Sequence, residues 1–374
     1  MHSKRVIRIA QPVIGDEEVR NVIEVLKSGM LAHGPLVEEF EKRFAEYIGV
    51  KHALTIANGT LALTAALKAA GVGPGDEVIV PCFTFIATAT AVLAVGARPV
   101  FADIELETYT IDPRDVENKL TSRTRAIIAV HLYGHMADVK RLSRIAREEG
   151  LVLIEDAAQA HGASLEGVKA GAWGDAAAFS FYATKNMTMG EGGAVTTNRD
   201  DIAWRVRMLR NHGQESKYLH VTFGLNLRIT SIQAAIGLAQ LRKLDELNRR
   251  RRENARLLTE GLKNTGLILP REKPGYYHVY HQYVVRVEPE KVGVTRDDLS
   301  SRLRSKGVET AVHYPLALPD QPLFRAMGYP PADTICPNAA KAAREVLSLP
   351  VHPLLSREDI EYIIEAVKEA LNGV

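Results

Sequence analysis

The sequence predicts an α/β protein: a large domain built on a mostly parallel sheet with helices on both faces, then a small C-terminal α+β domain. Three observations carry this. From Gly49 to about Asn198, short and nearly continuous apolar runs alternate with helical patterns, as in strands buried on both faces. A long helical stretch from Thr230 to Gly266 then ends that rhythm. At 374 residues the chain exceeds the size at which one core usually stops growing. The division is expected at 244/245, with residues 1–244 as the large domain, including two N-terminal helices, and 245–374 as the small one.

The elements follow in order. "DEEVRNVIEVLKSG" and "PLVEEFEKRFAEYIG" read as helices separated by the loop "MLAHG", where Gly34 and Pro35 mark a stop and a restart. "HALTIAN", "DEVIVP", "RPVFADI", "TRAIIAVHLYG" and "LVLIEDA" read as strands. Between them "GTLALTAALKAAG", "TFIATATAVLAVG" and "DVKRLSRIAREEG" read as helices. "DAAAFSFYATK" has strand character up to Tyr182. The long helix opens at Thr230 or Ser231 as N-cap and ends at Gly266, a domain connector by its position. The remainder offers a strand "YHQYVVRV", a helix "TRDDLSSRLRSKG", a strand "VETAVHYP" and a closing helix "SREDIEYIIEAVKEAL". There is no internal repeat and no low-complexity segment.

Composition is that of an ordinary globular protein, 46% hydrophobic and 25% charged. Lys plus Arg at 47 nearly balance Asp plus Glu at 45, so no global field favours nucleic acid or an anionic membrane as partner. Cys82 and Cys336 lie far apart without CxxC spacing, which fits a reducing cytoplasm and predicts neither a disulfide nor a thiolate metal site. The N-terminal "MHSKRVIRIAQPVIGDEE" has too short an apolar run for a targeting segment and is expected in the mature chain. No apolar stretch approaches the roughly 18 residues that span a bilayer.

In a parallel sheet ligands gather at the carboxyl ends of strands, so residues just after each strand are the ones to weigh. At "IANGTLALTAAL" a strand gives way to a helix at Gly59 and Thr60, leaving unpaired N–H groups and a positive dipole end suited to phosphate; taken alone, a capped helix without ligand is the simpler explanation. "LVLIEDAAQAHGA" runs an apolar strand directly into Glu155 and Asp156. A carboxylate held there needs a cation or donors, a protonated ring nitrogen or the next helix start being alternatives. "CFTFIATA" places Phe83 and Phe85 after a strand, either able to stack on a planar ring or to fill the core. In "FSFYATKNMTMGEGGAV", Lys185 follows a strand at the same edge as Asp156. A lysine against apolar walls loses basicity and attacks aldehydes, whereas a lone lysine is ordinarily solvated. Ser180 offers a second hydroxyl for a phosphate. A phosphate cradle, a stacking aromatic, an acid and an amine are together what pyridoxal phosphate requires.

On "LAHGPLVEEFEKRFAEYIG", "NGTLALTAAL", "PCFTFIATATAV", "FADIELETYTIDP", "HLYGHMADV", "IEDAAQAHGA", "FSFYATKNMTMGEGGAV", "LRNHGQ", "GLNLRITSIQAAIGLAQL" and "LPVHPLLSREDI", the chain resembles the sugar aminotransferase family named after DegT, DnrJ, EryC1 and StrS. The resemblance implies a fold type I pyridoxal-phosphate transferase, the aspartate aminotransferase fold, with a seven-stranded mostly parallel sheet. It implies that Lys185 forms the Schiff base and shuttles a proton between substrate and cofactor, and that Asp156 keeps the pyridine nitrogen protonated. Gln159 would contact the ring hydroxyl and Phe85 would stack on the ring. Gly59, Thr60 and Ser180 would hold the phosphate, joined by Asn226 of the partner subunit in a homodimer with shared active sites. The cofactor would alternate between pyridoxal and pyridoxamine phosphate. Substrates would be glutamate and a nucleotide-linked keto sugar, in polysaccharide or glycoconjugate biosynthesis, with His33, Gly34, His212, Arg228, His313 and Tyr314 as candidate contacts. A cyclitol or other cyclic ketone as acceptor, and a noncatalytic cofactor-binding regulator, are the alternatives. Asn58, where many members carry serine, and His135, where many carry another polar residue, depart from the family pattern. Lys185 itself separates the chain from dehydratase members, which carry histidine there.

Three further signals are read as structural. His131 and His135 have zinc-like spacing but lie at a strand end without a third ligand, so no metal site is expected. Arg249 to Arg252 are expected on a solvated helix face rather than on nucleic acid. "GEGGAV" leads into a strand, which favours a turn over a phosphate loop.

Overall fold

Seven strands form the central sheet of the computed structural model, which describes residues 6–373. Residues 1–5, which open the N-terminal stretch considered above, and residue 374 lie outside the described residues. The strands are β1 (His52–Ile56), β2 (Glu77–Pro81), β3 (Arg98–Ala102), β4 (Thr124–Val130), β5 (Val152–Asp156), β6 (Ala176–Ser180) and β7 (Gly193–Thr197), in spatial order β1-β7-β6-β5-β4-β2-β3. Neighbours run parallel from β6 through β3. Only β7 opposes its neighbours, β1 and β6. The stretch between β6 and β7 forms no helix, the usual element of a parallel crossover, and the chain reverses there instead.

Side chains alternate across this sheet. Val78, Val80, Ile128, Ile154 and Ala178 face one layer with helix α3 (Gly59–Ala69), which follows the two N-terminal helices α1 (Asp16–Ser28) and α2 (Pro35–Ile48) and whose Ala62, Ala65, Ala66 and Ala69 let it lie close to the strands. Ile79, Ile127, Leu153 and Ala177 face the other, where Phe40 and Phe44 of the second N-terminal helix (Pro35–Ile48) and the long connector helix pack. Two covered faces explain why the strands read as continuous apolar runs.

The connector helix spans Ser231–Leu262 and passes residue 244 without a break. Thr230 is its N-cap, in a reciprocal box with Gln233. It ends four residues before the expected Gly266, which takes a positive φ of 81° beyond it. Strands β8 (Tyr283–Arg286) and β9 (Val346–Leu349) then pair antiparallel, packed by helices Arg296–Ser305 and Arg357–Asn372 around Leu258, Val285, Leu303, Leu347 and Ile363. The expected strand "VETAVHYP" does not form. Its residues make only the isolated bridges Ile7–Val308 and Ala311–Ser348, the second on the outer edge of β9.

Two expectations are corrected. Cys82 and Cys336 form a disulfide, with Cα atoms 6.5 Å apart across 254 residues of sequence. Cys82 N–H bonds to Ala102 at the end of β3, and the helix beginning after Cys336 docks its first N–H groups on Asp103, 2.9 and 3.0 Å away, so the fold brings the two thiols to one strand end. The arginine run is also not uniformly solvated. Arg249 and Arg250 pair with Glu246 in solvent, but Arg251 is buried under the small unit and bonds to the His281 carbonyl. Arg252 lies over the Tyr277 ring and pairs with Glu272. At 3.6 residues per turn, four consecutive residues necessarily face all sides of a helix. No helix among the described residues is long and apolar enough to cross a membrane.

Candidate active site

The carboxyl ends of β1, β2, β4, β5 and β6 converge on one edge of the sheet, as expected for a site in this architecture. After β1 the chain turns at Asn58, whose side chain accepts from Leu61 N–H at 3.0 Å and caps α3. The departure from serine at this position therefore keeps the capping function. Gly59 begins the helix against Ser180. A Cβ at Gly59 would lie 2.7 Å from Ser180 Cβ, so only glycine lets the helix start and the end of β6 meet. Gly59, the exposed Thr60 and Ser180 thus gather at one positive helix end.

Asp156, 7% exposed, ends β5. Thr88 Oγ1 donates to its Oδ2 at 2.9 Å and Ala158 N–H to its Oδ1 at 3.2 Å. Burial pushes its carboxyl above the ordinary value, while these donors and Lys185 pull it down. Neighbouring Glu155 has a different task. Although burial opposes ionisation, His131 Nε2, 2.8 Å away, and the N–H groups of Gly171, Trp173 and Gly174 hold its carboxyl low. His131 Nδ1 accepts from Ala137 N–H at 3.2 Å, which leaves Nε2–H to donate to Glu155. His135 bonds to the Met136 carbonyl. Both histidines are thereby engaged in structural bonds.

Lys185 lies in the turn between β6 and β7, partly buried. Burial lowers its amine from 10.5 to about 8, against the opposing pull of Asp156. The neutral, nucleophilic form is therefore far more populated near neutral pH than in a solvated lysine. Phe83 is fully buried, whereas Phe85 is 54% exposed and tilts 37° to the Tyr314 ring at 5.9 Å. Of the two aromatics, Phe85 alone has a face to offer a ligand. Gln159 accepts from Tyr133 N–H at 2.7 Å and donates to Tyr314 Oη at 3.2 Å. His313 bonds to Ser348 Oγ at 2.9 Å, and burial, then the Lys185 charge, lower its ring to about 4.

The structure brings together Gly59, Thr60, Phe85, Asp156, Gln159, Ser180, Lys185, His313 and Tyr314. The other candidates form a second group. His33 and Arg228 line a cavity of about 650 Å³ with Arg207, Arg210 and Asn211, and Arg228 bonds to Asn211. Gly34 adjoins Ser231, His212 is exposed with a positive φ of 58°, and Asn226 is exposed on a bridge to Asn211. Sequence reasoning missed Thr88, Asn186 and His281. Thr88 was legible as a polar residue at a helix start beside the Phe85 loop; the other two carry no local signal.

The arrangement fits pyridoxal phosphate: a glycine-permitted helix start for the phosphate, an exposed aromatic face, a buried acid with one cationic neighbour, and an amine of reduced basicity. The model of the DegT/DnrJ/EryC1/StrS aminotransferase family matches residues 12–368. A pleiotropic regulatory protein of Geobacillus stearothermophilus is 44% identical, over 94% of each chain. The dTDP-3-amino-3,4,6-trideoxy-alpha-D-glucose transaminase of Streptomyces venezuelae is 43% identical, over 93% of this chain and 90% of its own. Among solved structures, S. venezuelae DesV in complex with a ketimine intermediate superposes with a TM-score of 0.91 at 43% identity, over 96% and 95% of the two chains.

Proposed function

The chain belongs to the DegT/DnrJ/EryC1/StrS aminotransferase family, and from that premise we propose that it moves an amino group from glutamate to a keto sugar carried on a nucleoside diphosphate, for polysaccharide or glycoconjugate assembly. It is a pyridoxal-phosphate-dependent sugar aminotransferase. The similar transaminase is named for a dTDP-linked sugar, which supports the nucleotide-linked acceptor. The observation that carries the reading is Lys185, its amine lowered to about 8 by burial and set beside the buried Asp156.

Bound pyridoxal phosphate supplies an electron sink for the carbon that loses its proton. The residues supply the rest. Gly59, Thr60 and Ser180 would hold the phosphate at the start of α3, and Phe85 would cover the ring. Asp156, steadied by Thr88, would serve the ring nitrogen, and Gln159 the ring hydroxyl. Lys185 Nζ takes the proton from the substrate carbon as a general base whose pKa lies near the working pH. We assign a homodimer in which Asn226 of the partner subunit joins the phosphate ligands. The exposed Ile23, Leu26 and Met30 near the N-terminus and Tyr218, Phe223 and Leu225 provide apolar surface for that second copy.

The test is turnover. Purified enzyme charged with glutamate should pass to its pyridoxamine form, and a nucleotide-linked keto sugar should restore the original absorption band with release of an amino sugar. Lys185→Ala should fold but lose that band and turnover. Absence of amine product across nucleotide-linked keto sugars, with turnover on a cyclitol ketone, would reject the acceptor. Retention of the band in Lys185→Ala would reject the lysine.

A further inference from the structure

Lys185 occupies no helix or strand, yet a nucleophile must be held to a fraction of an ångström. Its main-chain N–H bonds only locally, to the Tyr182 carbonyl at 2.9 Å. The next residue is anchored differently. Asn186 is 3% exposed, and its Nδ2 donates both to Asn248 Oδ1 at 2.8 Å and to the Val279 carbonyl at 3.1 Å. His281 Nδ1 lies 3.1 Å from Asn186 Oδ1. Asn248, 1% exposed and on the connector helix, donates through Nδ2 to the His161 carbonyl at 2.8 Å. Gly162 permits that approach, since a Cβ there would lie 2.8 Å from Asn248 Nδ2.

Two backbone carbonyls fix the polarity of the whole chain. A carbonyl only accepts, so Val279 requires the Nδ2 of Asn186 and His161 requires the Nδ2 of Asn248. Asn186 Oδ1 is then an acceptor, and His281 must present Nδ1–H to it. In its neutral form, the state that burial favours, the ring is therefore held as the Nδ1–H tautomer, with its Nε2 lone pair left over. The connector helix and the segment entering β8 meet on the residue beside the lysine, and the loop after β5 braces Asn248 behind them.

We infer that Asn186, Asn248 and His281 are positioning residues for Lys185, fixing its main chain and keeping a neutral imidazole, not a cation, beside its amine. The inference rests on Lys185 being the reacting amine. Lys185, Arg251, His313 and His161 are the charged and titratable groups that act on His281, and burial with all four keeps its ring well below the ordinary value. A protonated His281 would add a like charge to a site already containing Lys185 and Arg251. The groups that act on the ring are all bases, and the carboxylate beside Lys185, Asp156, is already engaged by Thr88 and Ala158.

The test uses holoenzyme and reads kcat, KM for glutamate and the pH dependence of the bound cofactor's absorption band. Asn186→Ala and His281→Ala should each lower kcat about tenfold or more, the scale of a displaced catalytic group, with KM for glutamate changed less than about threefold. The double variant should be no worse than either single one, since both cut the same link. His281→Asn, which places an amide N–H near the position of Nδ1–H, should recover most of kcat. Asn186→Asp should move the acidic limb of the absorption profile to higher pH by stabilising a cationic His281. Additive losses, or an unmoved profile in Asn186→Asp, would overturn the inference while a lost band in Lys185→Ala kept the lysine assignment intact. If Asn186→Ala does not fold, the contrast between His281→Asn and His281→Ala decides: equal losses reject the link, and rescue by Asn supports it.

Discussion

Gly59 shows how much one residue can decide. Its missing Cβ, which would lie 2.7 Å from Ser180 Cβ, is what lets two phosphate candidates from different elements share one helix end. Gly59→Ala should weaken cofactor binding by about 1–3 kcal/mol, the usual cost of overpacking, measured as the dissociation constant of the cofactor. Gly73→Ala, where a Cβ meets nothing within 4 Å, should change nothing. Lys185, Asp156 and Gly59 were legible in the sequence because each stands at the end of an apolar strand, and in this architecture chain order alone carries such residues to one edge. Asn186, His281 and Thr88 were not legible in their roles. Their partners lie 62, 95 and 68 residues away, and no local pattern records a pairing over that distance.

Among the elements, the second N-terminal helix is tied to the sheet by polar groups as well as by Phe40 and Phe44. Glu41 accepts from Thr55 N–H at 2.7 Å and Thr55 Oγ1 at 2.6 Å and pairs with Arg210, which also donates to the Thr55 carbonyl at 3.0 Å. Arg210 and Glu41 side chains are only 7% and 12% exposed. Glu41→Ala leaves that guanidinium without its counter-charge, so we expect a loss of about 3 kcal/mol in urea unfolding. A loss below about 1 kcal/mol would show that solvent reaches the pair. The seven strands were legible because two covered faces make them apolar throughout. "VETAVHYP" misled because an alternating pattern makes a strand only where a partner runs alongside for several residues, and this segment meets β9 only at Ala311–Ser348. That strand was hidden behind the helix Pro337–Glu345, which runs into it without a turn.

Across the whole molecule, buried imidazoles set an acid limit. Burial lowers His135, His313 and His352 to about 4 and His161 to about 3, each from 6.5. Between about pH 6.5 and 4 the unfolded chain takes up protons that the folded one refuses, so stability is present above 6.5 and drains as pH falls. The thermal midpoint should therefore be lower at pH 5 than at pH 7, and an equal or higher midpoint would contradict neutral burial of these rings. At this scale the sequence was a poor guide to which distant segments return. Helix Pro337–Glu345 docks on Asp103, and Phe324 meets Phe101 at 5.0 Å, so a late segment completes the early core. That return has a consequence for synthesis. The cofactor candidates run from Gly59 to Asn226, whereas the substrate candidates His313 and Tyr314 come later, so a ribosome must deliver more than four fifths of the chain before the whole site can assemble. Nascent chains arrested before His313 should emerge without turnover, and activity becomes an event of the finished polypeptide.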